Sequence, residues 1–297
     1  MASALTAFSC GQVRQPVRNV IEAGAGNFYA AMPAFLESGP AMGAKLVTVY
    51  HANGHRGLPT HQAVIVLLDA NTGSLLAVMD GRYITEVRTA AVTAVAVRAL
   101  ARQGARKLAI VGSGVQAGSH LQALRQVWQF DEIRCWSPTA ANLQRFVDAY
   151  PEVRPAASVE AAVRDADVVV LVTSTATPVV WTDWIAPGSF VTSVGACRPY
   201  LREMDPCLVA RGRLFADSRV AALKEAGDIV MAIDEGHFGP EHIAGELGEV
   251  LAGRVAGRTS DDEVVIFKPL GQAVEDVAAA QLAYTRALAV GRGVSLA

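Results

Sequence analysis

Two rhythms of apolar and polar residues divide this chain. Between residues 44 and 77, short β-branched and aliphatic runs at 45–50, 62–69 and 74–79 alternate with turn residues. Asn71, Thr72 and Gly73 form a hairpin-type turn between the second and third runs. Runs of this length predict strands, and tight turns between them predict antiparallel pairing in a separate sheet. His51 to Thr60, with Gly54, Gly57 and Pro59, predicts a loop. Residues 1–40, punctuated by Gly24, Gly26, Pro33, Gly39 and Pro40, predict turns and brief strands. From Thr85 to Ala101 the apolar spacing becomes helical, with Val92, Val95, Ala96 and Leu100 on one stripe, Thr85 as the cap and Gln103-Gly104 as the stop.

From Lys107 the rhythm changes again. Strands are expected at 107–112, 132–136, between Pro151 and Pro155, and at 167–172, 190–195, 213–216 and 263–267. Helices are expected between them at 115–128, 139–150, 158–164, 218–226 and 245–251. Such alternation predicts a parallel sheet with helices on both faces. A long alanine-rich helix at 272–290 can return to the first domain. The reading is an α/β fold. A Rossmann doubly wound parallel sheet occupies 104–271. A separate α+β domain occupies 1–103 and is completed by the C-terminal helix at 272–297.

The junction of the strand at 107–112 with the next helix carries the first chemical signal. Gly112, Gly114 and Ala117 occupy the three small positions of a G-x-G-x-x-A turn, with Val115 and Gln116 opening the helix. The first small residue permits the tight turn and the second lets a pyrophosphate approach the backbone. The third lets helix and strand pack closely, while the helix N-terminus offers free N–H groups to the phosphates. At the end of the second strand, where NAD enzymes usually carry an acid for the ribose 2′-hydroxyl, the chain reads Trp136-Ser-Pro-Thr139. Ser137 and Thr139 can hydrogen-bond a 2′-phosphate and no acid repels one, so NADP(H) is favoured over NAD(H). Ser137 as a plain helix cap is the alternative for that residue.

Composition narrows the function classes. A chain of 297 residues with 52% hydrophobic and 18% charged residues has the makings of a large ordered core. A formal net charge of −2 and no basic cluster argue against nucleic-acid binding. The longest apolar runs, 63–68 and 168–172, are of strand length, so no membrane span is expected. The first eight residues have no basic residue before their apolar part and do not fit a secretory signal. Cys10, Cys135, Cys197 and Cys207 lack C-x-x-C spacing, and the histidines lack a metal pattern. Free thiols in a cytoplasmic protein without a structural metal are the expectation. Lys45, opening an apolar strand, is either an edge gatekeeper or a functional cation. Arg88, in a helix among alanines, either pairs with a carboxylate such as Glu86 or binds an anion.

Several segments, taken in order, resemble the ornithine cyclodeaminase/mu-crystallin family. They are Gln15-Pro-Val-Arg18, Met32-Pro33, Lys45-Leu-Val-Thr48, Leu58-Pro-Thr-His-Gln-Ala63, Leu76-Ala-Val-Met-Asp-Gly81, Ile84-Thr85 and Arg88-Thr-Ala-Ala91. The glycine turn, Val194-Gly-Ala-Cys-Arg-Pro199 and Phe267-Lys-Pro-Leu-Gly-Gln-Ala-Val-Glu-Asp276 complete the series. The likeness runs from about Gln15 to Ala283, and is greatest to the mu-crystallin-like ketimine reductases.

The resemblance implies that the 1–103 domain, completed by the helix at 272–297, is a substrate and dimerisation domain, and it implies a nicotinamide dinucleotide cofactor, an α-amino or α-imino acid substrate and a homodimer. Carried over by residue, Arg18, Lys45 and Arg88 line the substrate carboxylate site. His61, Arg88 and Thr89 fall near the cofactor, and Thr173 and Ser174 face the nicotinamide. Lys45 is the implied proton donor. The family's cyclodeaminases carry an aspartate where this chain has Cys197, and a thiol cannot act as that carboxylate. Cys197 is therefore read as a wall of the substrate pocket. The lead before Gln15 is shorter than the family's usual helix-and-strand segment, which weakens the expectation of the dimer. The expected activity is NAD(P)H-dependent reduction of an α-imino acid C=N bond, of the Δ1-pyrroline-2-carboxylate type. The alternatives are an ornithine cyclodeaminase or alanine-dehydrogenase-type oxidoreductase, and an NADPH-dependent ligand-binding protein without turnover.

Overall fold

The structure, a computed structural model, describes residues 1–24, 26–37, 39 and 41–294. The turn expected at Pro40 and the last three residues of the 272–297 segment lie outside the described residues. In chain order the elements begin with α1 (Ala2–Ser9), β1 (Val13–Arg14), β2 (Asn19–Glu22), β3 (Phe28–Leu36), β4 (Ala41–Val49), β5 (His61–Leu68), β6 (Leu75–Asp80) and α2 (Gly81–Leu100). They continue with β7 (Lys107–Val111), α3 (Val115–Arg125), β8 (Glu132–Trp136), α4 (Ala140–Ala149), β9 (Val153–Pro155), α5 (Val159–Val163), β10 (Val168–Leu171) and β11 (Phe190–Ser193). The last are α6 (Pro206–Arg211), β12 (Arg213–Ala216), α7 (Arg219–Glu225), α8 (Gly227–Asp234), β13 (Ile243–Glu246), α9 (Leu247–Leu251), β14 (Val265–Lys268) and α10 (Ala273–Ala289). The chain divides into two units, Met1–Arg88 with Gly271–Ala297, and Thr89–Leu270.

In the first unit the antiparallel sheet runs β1-β3-β4-β5-β6 among the described residues, with β2 also on β3. Alternate residues of its strands, such as Met32, Ala34, Val47, Ile65 and Leu67, are buried. They pack against Val274, Val277 and Ala280 of α10. That two-residue parity puts Lys45 on the same face as Val47, beneath α10. Pro33 sits mid-strand in β3. It falls between the Arg14↔Phe35 and Asn19↔Ala31 pairs, where that flank has no paired partner. A missing N–H is tolerated there.

In the second unit the order β13-β12-β14-β11-β10-β7-β8-β9 is parallel at every pairing among the described residues. Val168 to Leu171 are all fully buried, as a strand covered on both faces requires. The chain steps outward from β7 to β8 to β9 and then returns to lay β10 on the other flank of β7. The reversal is a topological switch point, where α/β sheets bind ligands beyond their strand ends. Among the described residues no helix is long and apolar enough to cross a membrane.

Several local expectations change. Residues 2–9 form a helix, not irregular chain. α2 starts at Gly81, where the Asp80 carboxylate accepts the Arg82 N–H at 2.8 Å. Thr85 is therefore interior, its hydroxyl donating to the Gly81 carbonyl at 2.7 Å. The division between units falls inside α2, at 88/89, and not at 103/104. Arg88 bonds to α10, whereas Thr93 bonds to α3. Residues 245–246 belong to β13, and a capping box between Glu246 and Glu249 starts α9 at Leu247. The short α6 and α8 escape periodicity altogether, although Asp205-Pro206 is a legible start signal for α6.

One buried histidine ties α2 to α3. His120 Nδ1 faces the Gln116 carbonyl at 2.7 Å and must donate to it. Nε2 is then an acceptor for the Thr93 hydroxyl at 3.0 Å. Burial pushes the His120 pKa down to about 4. Between the ordinary histidine value near 6.5 and about 4, the unfolded chain takes a proton that the folded one refuses. Stability therefore falls as pH drops through that window. Urea midpoints measured from pH 7 to pH 4.5 should decline, and His120→Gln should flatten the slope.

Candidate active site

Chemistry collects in two places, one in each unit. In the first, β4 presents Lys45 and α10 presents Glu275 and Asp276. Lys45 Nζ lies 2.6 Å from Asp276 Oδ2, with the two side chains 2% and 0% exposed. Arg88 Nε donates to Asp276 Oδ1 and Nη1 donates to Glu275 Oε2, each at 2.8 Å. The Arg88 partner is thus the acidic pair of α10, while Glu86 stands near Arg82. Burial drives the Lys45 pKa down to about 8, against the pull of Asp276, and Arg88 and Arg18 push the same way. Burial alone would raise the Asp276 carboxyl, but Arg88 and Lys45 outweigh it and hold it below the usual range.

The surroundings fix this cluster. Gln15 donates to the Gln272 side chain at 2.8 Å and accepts the Val274 N–H at 2.8 Å, so it serves the open N-terminus of α10. Gly271, at φ +82°, lies against the Arg88 guanidinium, and an added Cβ would collide with it. His61, at the start of β5, is pushed down to about 4 by burial and then by Lys45 and Arg88. It is neutral at physiological pH. Arg18 is half-buried and Thr89 follows Arg88 on α2. The arrangement is a buried cluster of paired charges in which burial lowers the Lys45 ammonium to about 8, with a neutral imidazole nearby. The family-like segment at 267–276 contained the two acids, but nothing in the sequence paired them with β4 and α2.

In the second unit the turn after β7 has the shape that a dinucleotide needs. Gly112 has φ +115°, and an added Cβ would lie 2.8 Å from the Val172 carbonyl oxygen. Above Gly114 there is nothing within 4 Å, which leaves a cradle open to a ligand. Val115 is exposed, Ala117 is fully buried in the first turn of α3, and the Gln116 Oε1 is buried with no hydrogen-bond partner. α3 starts at Gly114 without a side-chain cap. A bound pyrophosphate fits these open N–H groups. At the end of β8 the Ser113 hydroxyl donates to the Ser137 hydroxyl at 2.8 Å, and Thr139 is exposed. Cys135 lies buried under the turn, its thiol pushed up to about 12 by burial.

Thr173 and Ser174 follow β10, and Cys197 follows β11, half-buried against the apolar core. A buried set of charges supports these strand ends. Lys268 Nζ donates to Asp228 Oδ2 at 2.8 Å and to the Ser193 carbonyl at 2.9 Å. Glu203, fully buried, accepts from Thr173 and from the turn after β11. Burial raises the Glu203 carboxyl, Lys268 opposes this, and Asp228 adds to it. Sequence reasoning missed Glu203, Asp228 and Lys268, because only the folded strand ends bring them together.

The chain is similar to known proteins over nearly its whole length. The chain is 42% identical over 289 residues to the ketimine reductase mu-crystallin of Mus musculus, covering 96% of this chain and 90% of that protein. It matches the Thermococcus litoralis Δ1-pyrroline-2-carboxylate reductase, solved with NADH and L-proline, at a TM-score of 0.96 and 34% identity. That match covers 99% of this chain and 93% of the other. An archaeal alanine dehydrogenase dimer with bound NAD matches at a TM-score of 0.95 and 31% identity, covering 100% and 92% of the two chains. The family model for ornithine cyclodeaminase/mu-crystallin spans residues 1–291. With an antiparallel domain holding buried cations, a doubly wound sheet holding a dinucleotide turn, and that match, the chain belongs to the ornithine cyclodeaminase/mu-crystallin family.

Proposed function

We propose that the protein reduces the C=N bond of a cyclic or linear α-imino acid with NAD(P)H, the substrate being of the Δ1-pyrroline-2-carboxylate kind. The observation that carries this reading is the buried Lys45–Asp276–Arg88 cluster. An α-imino acid brings a carboxylate and a basic nitrogen on adjacent carbons. Arg18 and Arg88 supply guanidinium donors for the carboxylate. Lys45, at about 8, is protonated at neutral pH and gives its proton to the imine nitrogen at low cost. Asp276 keeps Lys45 charged until then and fixes Arg88 by the same carboxylate. The bound reduced nicotinamide supplies the hydride for the imine carbon. Cys197, in place of a carboxylate, favours reduction over cyclodeamination.

For the cofactor, NADP(H) is favoured over NAD(H). The Ser113–Ser137 hydroxyl pair at the end of β8 stands where NAD enzymes usually carry an acid and can hydrogen-bond a 2′-phosphate. For assembly, the reading is a homodimer. The sheet face turned away from α10 carries Met42, Leu46, Val64, Val66 and Val78, all at least partly exposed. A sheet face left to water is normally polar, so an apolar one fits a second copy of this chain.

The primary test mixes the protein with NADPH or NADH and a panel of cyclic ketimines and follows the reduced cofactor. Cofactor consumption is expected. Tight NADPH binding with no consumption would overturn the reading in favour of a binding protein, and ammonia release from ornithine would favour a cyclodeaminase. With Lys45 as the proton donor, kcat/KM for reduction should fall above pH about 8, roughly tenfold per unit. Ser137→Asp should raise the KM for NADPH about tenfold and spare NADH. Val66→Asp should halve the mass measured by light scattering, and an unchanged mass would place the dimer contact elsewhere.

A further inference from the structure

The buried Glu203 is placed at a point where two loops meet. Its Oε1 accepts the Thr173 N–H at 2.6 Å and the Thr173 hydroxyl proton at 2.7 Å. Its Oε2 accepts the Gly195 N–H at 2.8 Å and the Ala196 N–H at 3.2 Å, while the Ser193 hydroxyl lies between this oxygen at 2.8 Å and Asp228 Oδ2 at 2.6 Å. One carboxylate thus joins the chain leaving β10 to the chain leaving β11. The loops also touch directly, since an added Cβ on Gly195 would run into the Thr173 carbonyl. Behind Glu203, Asp228 Oδ1 accepts the Glu203 and Met204 N–H groups at 2.8 and 3.0 Å. Its Oδ2 takes Lys268 at 2.8 Å. Glu203 is therefore held at its backbone by Asp228 and at its carboxylate by the two loops.

A buried carboxylate is a poor device for stability alone, because an apolar replacement is often neutral or stabilising. It is a good device for setting the direction of hydrogen bonds. Thr173 has a single hydroxyl proton, and Glu203 takes it. The Thr173 oxygen can then offer only lone pairs to a ligand. In a doubly wound fold the pyrophosphate lies over the turn after the first strand, here β7. The second nucleotide half lies over the strand ends on the other side of the switch point, here β10 and β11. The group that arrives there is nicotinamide, whose carboxamide carries both a donor and an acceptor.

We infer that Glu203 is a positioning residue that fixes the Thr173 hydroxyl as an acceptor for the carboxamide –NH2 of the nicotinamide. This selects one orientation of the amide, and with it the presentation of the ring. The inference rests on the reading that a nicotinamide dinucleotide binds this chain, but not on which imine is reduced.

The test is a binding measurement. Protein fluorescence is titrated with NADPH and with its reduced 3-acetylpyridine analogue, in which a methyl group replaces the amide nitrogen. The wild-type protein should bind NADPH at least about fivefold more tightly than the analogue. Thr173→Ser should keep that ratio, whereas Thr173→Val and Glu203→Gln should bring it towards one. If Glu203→Gln does not fold, Glu203→Asp, too short to reach both loops, takes its place with the same expected loss. Equal wild-type affinities for the two nucleotides would overturn the inference. So would a glutamine or aspartate variant that keeps the wild-type ratio while its Tm falls, since that marks Glu203 as merely structural. Failure to reduce any imine, with the affinity ratio intact, would count against the proposed reaction and leave this inference standing.

Discussion

The first unit depends on one carboxylate. Asp276 meets Lys45 with one oxygen and Arg88 with the other, and all three side chains are buried. Removing it would leave the buried Lys45 ammonium without its carboxylate and Arg88 with Glu275 alone, a loss of about 3–5 kcal/mol. That interaction also joins three distant parts of the chain, since β4, α2 and α10 each contribute one member. Burial lowers the Lys45 ammonium to about 8, and the same Asp276 ion pair that holds α10 in place opposes that fall. Stability and proton chemistry are therefore not separable in this cluster. Glu275 and Gly271 serve it further, the first by a second bond to Arg88 and the second by leaving room for the guanidinium.

The second unit solves a different problem with a similar device. Its strand ends must face a ligand, and strand ends leave backbone N–H groups without partners. Glu203 and Asp228 collect several of these N–H groups with buried carboxylates, and Lys268 pairs with Asp228. The glycine turn leaves empty space above Gly114 at the uncapped start of α3, where a phosphate fits.

Much of this was legible in the residues. The parallel sheet follows from the β-α alternation, and β8 and β12 fall at 132–136 and 213–216 as expected. The glycine turn was readable because Gly112, Gly114 and Ala117 each answer a separate local requirement. Lys45 stood out as a charge in an apolar strand, and the strand parity then buried it. What stayed hidden was pairing across long sequence separations. Nothing near Arg88 announces Asp276, and Glu86 was the nearer candidate. Glu203 sits in no periodic element and meets Thr173 only once β10 and β11 lie side by side. α1 was missed because a short apolar lead has no period to read, and α6 because six residues make less than two turns.

The central claim is that a buried, Asp276-paired Lys45 holds a proton that it can release near neutral pH. Its most direct test is an NMR titration of lysine side chains, with Lys45 assigned by comparison with Lys45→Arg. The account predicts that one lysine titrates at about 8 and moves lower still in Asp276→Asn. A Lys45 that titrates near 10.5, or one that Asp276→Asn leaves unmoved, would contradict it.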